Sequence, residues 1–374
     1  MTKTVELSAW KHLFNPLPDE YRDLDPEERR SRTWKAKKAL GKELIVLAHN
    51  YQNDSIVEFA DHIGDSYQLS VWSTKAKDAR YIIFCGVSFM AETAFILNEG
   101  KKTVVLPSME ASCPMAGMAE RVQVDAAWEL VTSQVPEDDI VPIVYINSYA
   151  DLKAFAGVHG GTICTSANAE RAFRWAVAQT RKVFFFPDKN LGINMARRLG
   201  FPDSAGVVWN PWARQFEGNG HLTLSERRFF HWLGFCQVHD RFRVEHVSEV
   251  RAKYPQIRVL VHPECLPEVV ALADEVGSTS YIVKRAEESR AGTQWAIGTE
   301  FHLVNRLKNQ HPEQFIIPLG CEVCIDCNAM QQIQPDYLLW VMEELTEGRA
   351  PNRVTVSEDD LGWARVALDR MLAL

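Results

Sequence analysis

The chain has 374 residues, past the roughly 250–300 at which one hydrophobic core stops growing, so two or three domains or one large closed architecture are expected. With 46% hydrophobic and 24% charged residues, extended disorder and fibrous classes are excluded, and apolar runs such as Val183–Phe186 fall far short of a membrane span. A net charge of −8 without a long Lys/Arg block argues against nucleic acid as a partner. A small anionic substrate would have to be held locally, by helix N-termini and single cations. Glu6, Lys11 and Asp19 interrupt the first apolar residues, which lack a secretory core, so the cytoplasm is the default compartment.

Residues 1–42 read as an N-terminal helical extension. Asp25-Pro26-Glu27-Glu28 joins a capping side chain to a proline at the first helical position, predicting a charged helix to about Lys42. From Glu43 onward, short β-branched runs alternate with helical periodicity, the pattern of βαβ units on parallel sheets.

The same unit is written three times. Leu44–Ala48 leads to His49 and Tyr51, Ile140–Ile146 contains Tyr145 and leads to Asn147, and Ile257–Val261 leads to His262 and Glu264. The i,i+2 spacing puts each pair on one face at a strand's carboxyl end, provided the strand geometry continues. A hydroxyl residue at an expected helix start follows each pair: Ser66, Ser166 and Thr279. A further strand end follows, at Phe84-Cys85-Gly86, Phe186-Pro187-Asp188-Lys189 and Ile297-Gly298-Thr299. Then come a fourth apolar strand (Val104–Leu106, Val207–Trp209, Ile316–Leu319) and cysteine: Cys113, Cys236, and the cluster Cys321, Cys324 and Cys327. Generic α/β alternation explains the spacing of elements but not this polar chemistry at matching strand ends.

Open α/β sheets bind ligands beyond the carboxyl ends of their strands, and three such ends facing one another would enclose one shared site. The expected fold is α/β: three repeated units with parallel sheets whose strand ends face one central active site. The domains span 43–125, 126–245 and 246–331. Asn210–Trp232 reads as an inserted loop or lid in the second, and C-terminal helices in 332–374 should pack back on the first.

Eight cysteines in a chain of this size and compartment suit metal binding or buried thiols better than disulfides. The two C-x-x-C spacings of Cys321-Glu322-Val323-Cys324-Ile325-Asp326-Cys327 are the strongest local signal. Structural zinc would need a fourth ligand, which the following residues do not offer, so an iron–sulfur centre is preferred. If Cys113 and Cys236 also close symmetry-related units, a central cluster would take one thiolate from each. One iron of a four-iron cube would then stay open as a Lewis acid. Cys85 and Cys164 lie in apolar strands and read as buried small hydrophobes, whereas Cys265, beside Glu264, is a lesser candidate ligand.

These residues resemble the quinolinate synthase family of de novo NAD biosynthesis. The resemblance rests on Ala48-His49-Asn50-Tyr51-Gln52, Gly64-Asp65-Ser66 and Cys85-Gly86-Val87-Ser88-Phe89-Met90-Ala91-Glu92-Thr93. It continues through Tyr145-Ile146-Asn147-Ser148, Cys164-Thr165-Ser166-Ala167-Asn168, Pro187-Asp188-Lys189-Asn190-Leu191-Gly192 and Cys236-Gln237-Val238-His239. Val261-His262-Pro263-Glu264, Gly277-Ser278-Thr279 and Cys327-Asn328-Ala329-Met330 complete it. The resemblance implies an α/β fold of three pseudo-threefold-related αβα domains with short parallel sheets around a central active site, and a [4Fe–4S] cluster held by Cys113, Cys236 and Cys327. Cys321 and Cys324 become accessory, a pair that in some members is open to a redox-sensitive disulfide. It implies condensation of iminoaspartate with dihydroxyacetone phosphate to quinolinate, phosphate and water. The unstable imine needs a supplier, an L-aspartate oxidase or a dehydrogenase.

By the same resemblance His49, Tyr51, Tyr145, His262 and Glu264 form the acid–base set. Glu264 is the expected base at carbon, with His262 and Tyr51 assisting at oxygen. His49, Tyr145, His262 and Glu264 are also expected to contact substrate, with Asn147 as an oxyanion donor. Ser66, Ser166 and Thr279 would hold carboxylate or phosphate at helix starts, unless they only cap those helices. Lys189 reads as the local cation or as a solvated helix-start residue, and His239 as a group that orients the cluster or packs. The rival readings are a hydro-lyase with an open iron and a non-catalytic cluster or zinc protein.

Overall fold

The computed structural model describes residues 17–179, 181–217, 222–320 and 325–374. Cys321, Cys324 and Gly218-Asn219-Gly220 of the expected insert lie outside them. Asp25 caps the first long helix, Pro26–Leu40, accepting from the Glu27 N–H at 2.9 Å, and the helix stops at Gly41, whose φ of +50° suits glycine.

Three sheets follow. β1 (Leu44–His49), β2 (His62–Gly64), β3 (Tyr81–Cys85) and β4 (Thr103–Val105) form a parallel sheet in the order β4-β3-β1-β2. β5 (Ile140–Tyr145), β6 (Thr162–Cys164), β7 (Lys182–Phe186), β8 (Gly206–Asn210), β9 (Gln215–Glu217) and β10 (Phe229–Trp232) form the second, in the order β6-β5-β7-β10-β8-β9. β11 (Arg258–Val261), β12 (Glu275–Val276), β13 (Gln294–Gly298) and β14 (Phe315–Pro318) form the third, in the order β12-β11-β13-β14. Every residue of β1, β3 and β5 is buried, because helices cover both faces of a parallel sheet.

The repeat extends to single hydrogen bonds. β2 and β12 are too short to reach the beginnings of β1 and β11, so a carboxylate stands in for the missing strand. Asp61 Oδ2 accepts from the Val46 N–H, and Asp274 Oδ2 from the Val259 N–H, both at 2.7 Å. An orphan backbone donor at the same place in two units has received the same partner.

The second unit corrects one expectation. Its fourth strand, the neighbour of β7, is Phe229–Trp232 and not Val207–Trp209, which lies one place further out as β8. The stretch 210–232 is therefore no simple loop or lid. Gln215–Glu217 folds back antiparallel on β8 at the sheet edge, and the chain then re-enters the sheet with four buried residues in a row. Burial of Phe229, Phe230 and Trp232 drives that re-entry, and their aromatic character had obscured a strand.

The C-terminal segment packs on two units. Helix Pro335–Thr346 lies on Pro26–Leu40, with ion pairs Arg29–Asp336 and Arg32–Glu343 at 2.7 Å, and β15 (Arg353–Val354) pairs antiparallel with β4. The last helix, Glu358–Ala373, runs chiefly along Ala150–Val158 of the second unit rather than on the first. Gly157 permits that crossing, since a Cβ there would stand 2.0 Å from the Trp363 carbonyl oxygen. None of the described helices is long and apolar enough to cross a membrane.

β10 also buries His231, whose ring fills the space left by Gly192. Burial lowers this imidazole from 6.5 to about 4, so it is neutral in the fold and gains a proton more readily once unfolded. Its contribution to stability is complete above about pH 6.5 and is lost as the pH falls toward 4, roughly 2 kcal/mol by pH 5. The denaturation midpoint of the natural chain should drop more steeply between about pH 7 and 5 than that of His231→Asn. Parallel slopes would show that His231 does not titrate on unfolding.

Candidate active site

The three sheets bring one set of residues each to a common cavity. The first unit contributes His49, Tyr51, Ser66 and Cys113; the second Tyr145, Asn147, Ser166 and Cys236; the third His262, Glu264, Thr279 and Cys327. No Lys or Arg lines it among the described residues.

The i,i+2 pairs reach the cavity by a route other than the one expected. β1 ends at His49 and β11 at Val261, and the chain then makes a turn instead of continuing as a strand. Gln52 N–H donates to the His49 carbonyl, and Cys265 N–H to that of His262, both at 3.0 Å. Within each turn the backbone N–H two residues on donates to the histidine Nδ1, Tyr51 to His49 at 3.2 Å and Glu264 to His262 at 3.4 Å. An accepting Nδ1 leaves the proton of a neutral ring on Nε2. Burial, with Arg306 near His49 and His239 near His262, lowers both imidazoles to about 3. Both are therefore neutral N–H donors at pH 7.

Glu264 is the charged centre. Burial alone would raise its carboxyl, but His262, His239 and Tyr145 outweigh that and hold it below the usual carboxylate range. His239 Nδ1 stands 2.5 Å from Oε2, while Oε1 has no hydrogen-bond partner among the described residues. The His239 ring stacks on His262 at 4.1 Å, and its Nε2 lies 3.2 Å from the Tyr51 hydroxyl and 3.1 Å from Thr299 Oγ1. Tyr51 and Thr299 are themselves 2.7 Å apart. A hydrogen-bonded path thus runs from Tyr51 through Thr299 and His239 to Glu264. Burial, reinforced by Glu264, pushes the Tyr51 and Tyr145 phenols well above their ordinary value, so both remain donors. His239 carries more of the site than its sequence position suggested; the one signal was its place three residues after Cys236. Thr299 gave only its position after a strand end.

Capping does not use up the expected hydroxyls. Asp65 caps helix Ser66–Lys75, Ser278 caps Thr279–Glu287 and Asn168 precedes Ala169–Ala178, so Ser66 and Thr279 stand at first helical positions and Ser166 on the preceding turn. Thr279 Oγ1 accepts from Asn50 Nδ2 at 2.9 Å. Asn147 directs Nδ2 toward Cys113 Sγ at 3.9 Å, so its amide faces a sulfur as well as the cavity. Lys189 is not the local cation: it begins helix Lys189–Arg198 and lines a separate cavity with Asp203, His231 and Glu268.

Cys113, Cys236 and Cys327 are free thiols at the starts of short turns. Backbone N–H groups bond to each sulfur: Ala116 and Met115 to Cys113, His239 to Cys236, Met330 and Ala329 to Cys327. Burial pushes Cys113 up to about 11, Cys327 to about 12 and Cys236 well above its ordinary value. A bound cation would have to deprotonate them, and the N–H donors would then support the thiolates. Cys236, His239 and Glu264 also lie close enough, all within 4.8 Å of one another, to hold a single ion. Cys265 points elsewhere, giving its S–H to the Gly298 carbonyl at 3.7 Å, and Cys85 and Cys164 are wholly buried.

Comparison with known proteins gives a consistent match. The family model described as Quinolinate synthetase A protein matches residues 32–373. A quinolinate synthase of Halobacterium salinarum strain R1 is 54% identical over 371 residues, covering 99% of this chain and 98% of the relative. One of Haloarcula marismortui is 50% identical with the same coverage, and one of Anoxybacillus flavithermus is 44% identical over 96% of each chain. The chain belongs to the quinolinate synthase family.

Proposed function

We propose that the protein condenses iminoaspartate with dihydroxyacetone phosphate to give quinolinate, phosphate and two waters, using a [4Fe–4S] cluster held by Cys113, Cys236 and Cys327. The carrying observation is the convergence of three sulfurs, one per sheet, with a buried carboxylate–imidazole pair on one cavity. The donor set fits the cluster: three thiols served by backbone N–H groups, with no fourth cysteine among the described residues lining the cavity. Such a cluster supplies a Lewis-acidic iron able to polarise a substrate oxygen.

The remaining chemistry belongs to the side chains. Glu264 is ionised and has one oxygen without a hydrogen-bond partner among the described residues, so it suits removal of protons from carbon. The hydrogen-bonded path through His239 and Thr299 lets such a proton be passed on, each group releasing its own proton as it receives one, so that Tyr51 delivers the last to a substrate oxygen. His49 and His262, neutral and protonated on Nε2, donate to carboxylate or carbonyl oxygen instead of acting as imidazolium acids. Ser66, Ser166 and Thr279 add hydroxyls beside the free N–H groups at the starts of their helices, where carboxylate and phosphate are stabilised. Every donor in this set is neutral, which fits a site that must release phosphate once the bond has formed.

A second reading follows from the Cys236, His239 and Glu264 trio: one metal ion in a non-catalytic or simple hydro-lyase site. Metal analysis separates the two. Anaerobically prepared protein should contain iron and sulfide in equal amounts, and Cys113→Ser, Cys236→Ser and Cys327→Ser should each lose both, whereas Cys265→Ala keeps them. A single metal per chain that survives Cys113→Ser and Cys327→Ser would favour the rival. Supplying both substrates and assaying quinolinate tests the reaction itself.

Glu264→Gln is expected to lower kcat by roughly 10²–10⁴ with the fold retained, measured as quinolinate formed per cluster-loaded chain. Because Glu264 is held ionised below its ordinary range, its loss by protonation lies on the acid side of about pH 4. His49 and His262 titrate lower still than a free imidazole. Replacing either by Gln should change the height of the pH–kcat profile and leave the midpoint of its acid limb in place; a limb near pH 6.5 that vanishes in His262→Gln would contradict the neutral-donor assignment.

A further inference from the structure

The helix after the third strand of every unit carries a polar side chain that leaves its own unit. Helix Ser88–Leu97 follows β3, and Glu92 Oε2 accepts from the Ala150 N–H of the second unit at 2.9 Å. Helix Lys189–Arg198 follows β7, and Asn194 Nδ2 donates to the Pro263 and Cys265 carbonyls of the third unit at 2.8 and 2.9 Å. Helix Phe301–Gln310 follows β13, and Arg306 donates to the Asn50 carbonyl and, through Nη1 at 2.9 Å, to the Gln52 carbonyl of the first unit. The direction is cyclic: first to second, second to third, third to first.

The targets are equivalent too. Asn194 brackets Glu264 and Arg306 brackets Tyr51, each holding the carbonyls on either side of an active-site residue. Glu92 holds the far end of the segment that carries Asn147. All three segments lie past the ends of their strands, where the clamped carbonyls and the Ala150 N–H have no backbone partner among the described residues, yet Asn50, Gln52 and Glu264 are buried. Buried backbone groups of this kind need partners, and the neighbouring unit supplies them. The side-chain chemistry matches in each case, donors for carbonyls and an acceptor for an N–H. Asn194 and Arg306 are themselves almost fully buried, at 4% and 8% exposure.

We propose that Glu92, Asn194 and Arg306 are positioning residues of one threefold device, by which each unit sets the active-site turn of the next. The site then acquires its working geometry only when all three units are docked. Without its clamp a turn keeps its residues but not their placement, and misplacement by about 1 Å is enough to cost on the order of 10²-fold in rate. The kinetic part rests on the quinolinate synthase reading; the structural part does not.

The test uses Arg306→Lys, which keeps the charge but cannot span two carbonyls, and Asn194→Ala, with Val304→Ala on the same helix as Arg306 as a purely apolar control. Amide hydrogen exchange reads the clamp directly. Arg306→Lys should speed exchange in the turn 50–52 of the first unit and Asn194→Ala at Glu264 and Cys265 of the third, with β1 and β11 still protected. In cluster-loaded protein kcat should fall about ten- to a hundredfold, more than in Val304→Ala of matched Tm. Glu92→Gln, which retains an acceptor oxygen, should keep more activity than Glu92→Ala. Exchange that changes only in the substituted residue's own helix, or a kcat loss no larger than that of the control, would overturn the proposal. If the unsubstituted protein makes no quinolinate, the functional reading fails, and exchange in the turns alone decides the clamp.

Discussion

A carboxylate removed from water is the constraint to which the centre of this molecule answers. Glu264 is 2% exposed, and an isolated charge so placed costs several kcal/mol unless donors surround it. The donors come from another sheet, His239 and Tyr145 of the second unit, while the His262 ring of its own turn lies beside the carboxylate. A side chain satisfied in this way ties the packing of the units to the chemistry, since separating them would strand the charge. His239 is then committed at Nδ1, and its other nitrogen faces Tyr51 of the first unit.

From that commitment follows an unusual balance of charge. Two carboxyl side chains, Glu264 and Asp65, line the cavity and no cation does among the described residues, although the proposed reactants carry carboxylate and phosphate. Attraction must come from dipoles: two imidazole N–H groups, two phenols, hydroxyls and helix starts. Arg306, the cation that acts on His49, is occupied by backbone carbonyls and lowers that ring's proton affinity instead of binding a ligand. Neutral recognition is weaker for each contact than a salt bridge, but it needs no desolvated counter-charge to be rebuilt after product leaves.

Much of this was legible in the sequence because the unit is repeated. Polar residues at three strand ends, hydroxyls at three helix approaches and cysteine at three unit ends reinforce one another, and all twelve line one cavity. The failures have physical causes. β2, β6 and β12 have two or three residues each, too few for periodicity to register. Phe229–Trp232 lacks β-branched residues, so a central strand passed for part of an insert. Lys189 was placed by its neighbours in sequence, but it lines a different cavity. His239 and Thr299 could not be ranked, because their importance lies in contacts between units, which no local pattern encodes.

The second sheet accommodates its additional length at one margin. β8 and β9 are added beyond β10, on the side away from β5, whose end carries the site residues, and Trp212 on the connecting turn is 67% exposed. Growth by strand addition at an outer row leaves the inner rows in register. Such a margin gives a lineage somewhere to try out new contact surface, while the atoms that perform the reaction are carried along unchanged.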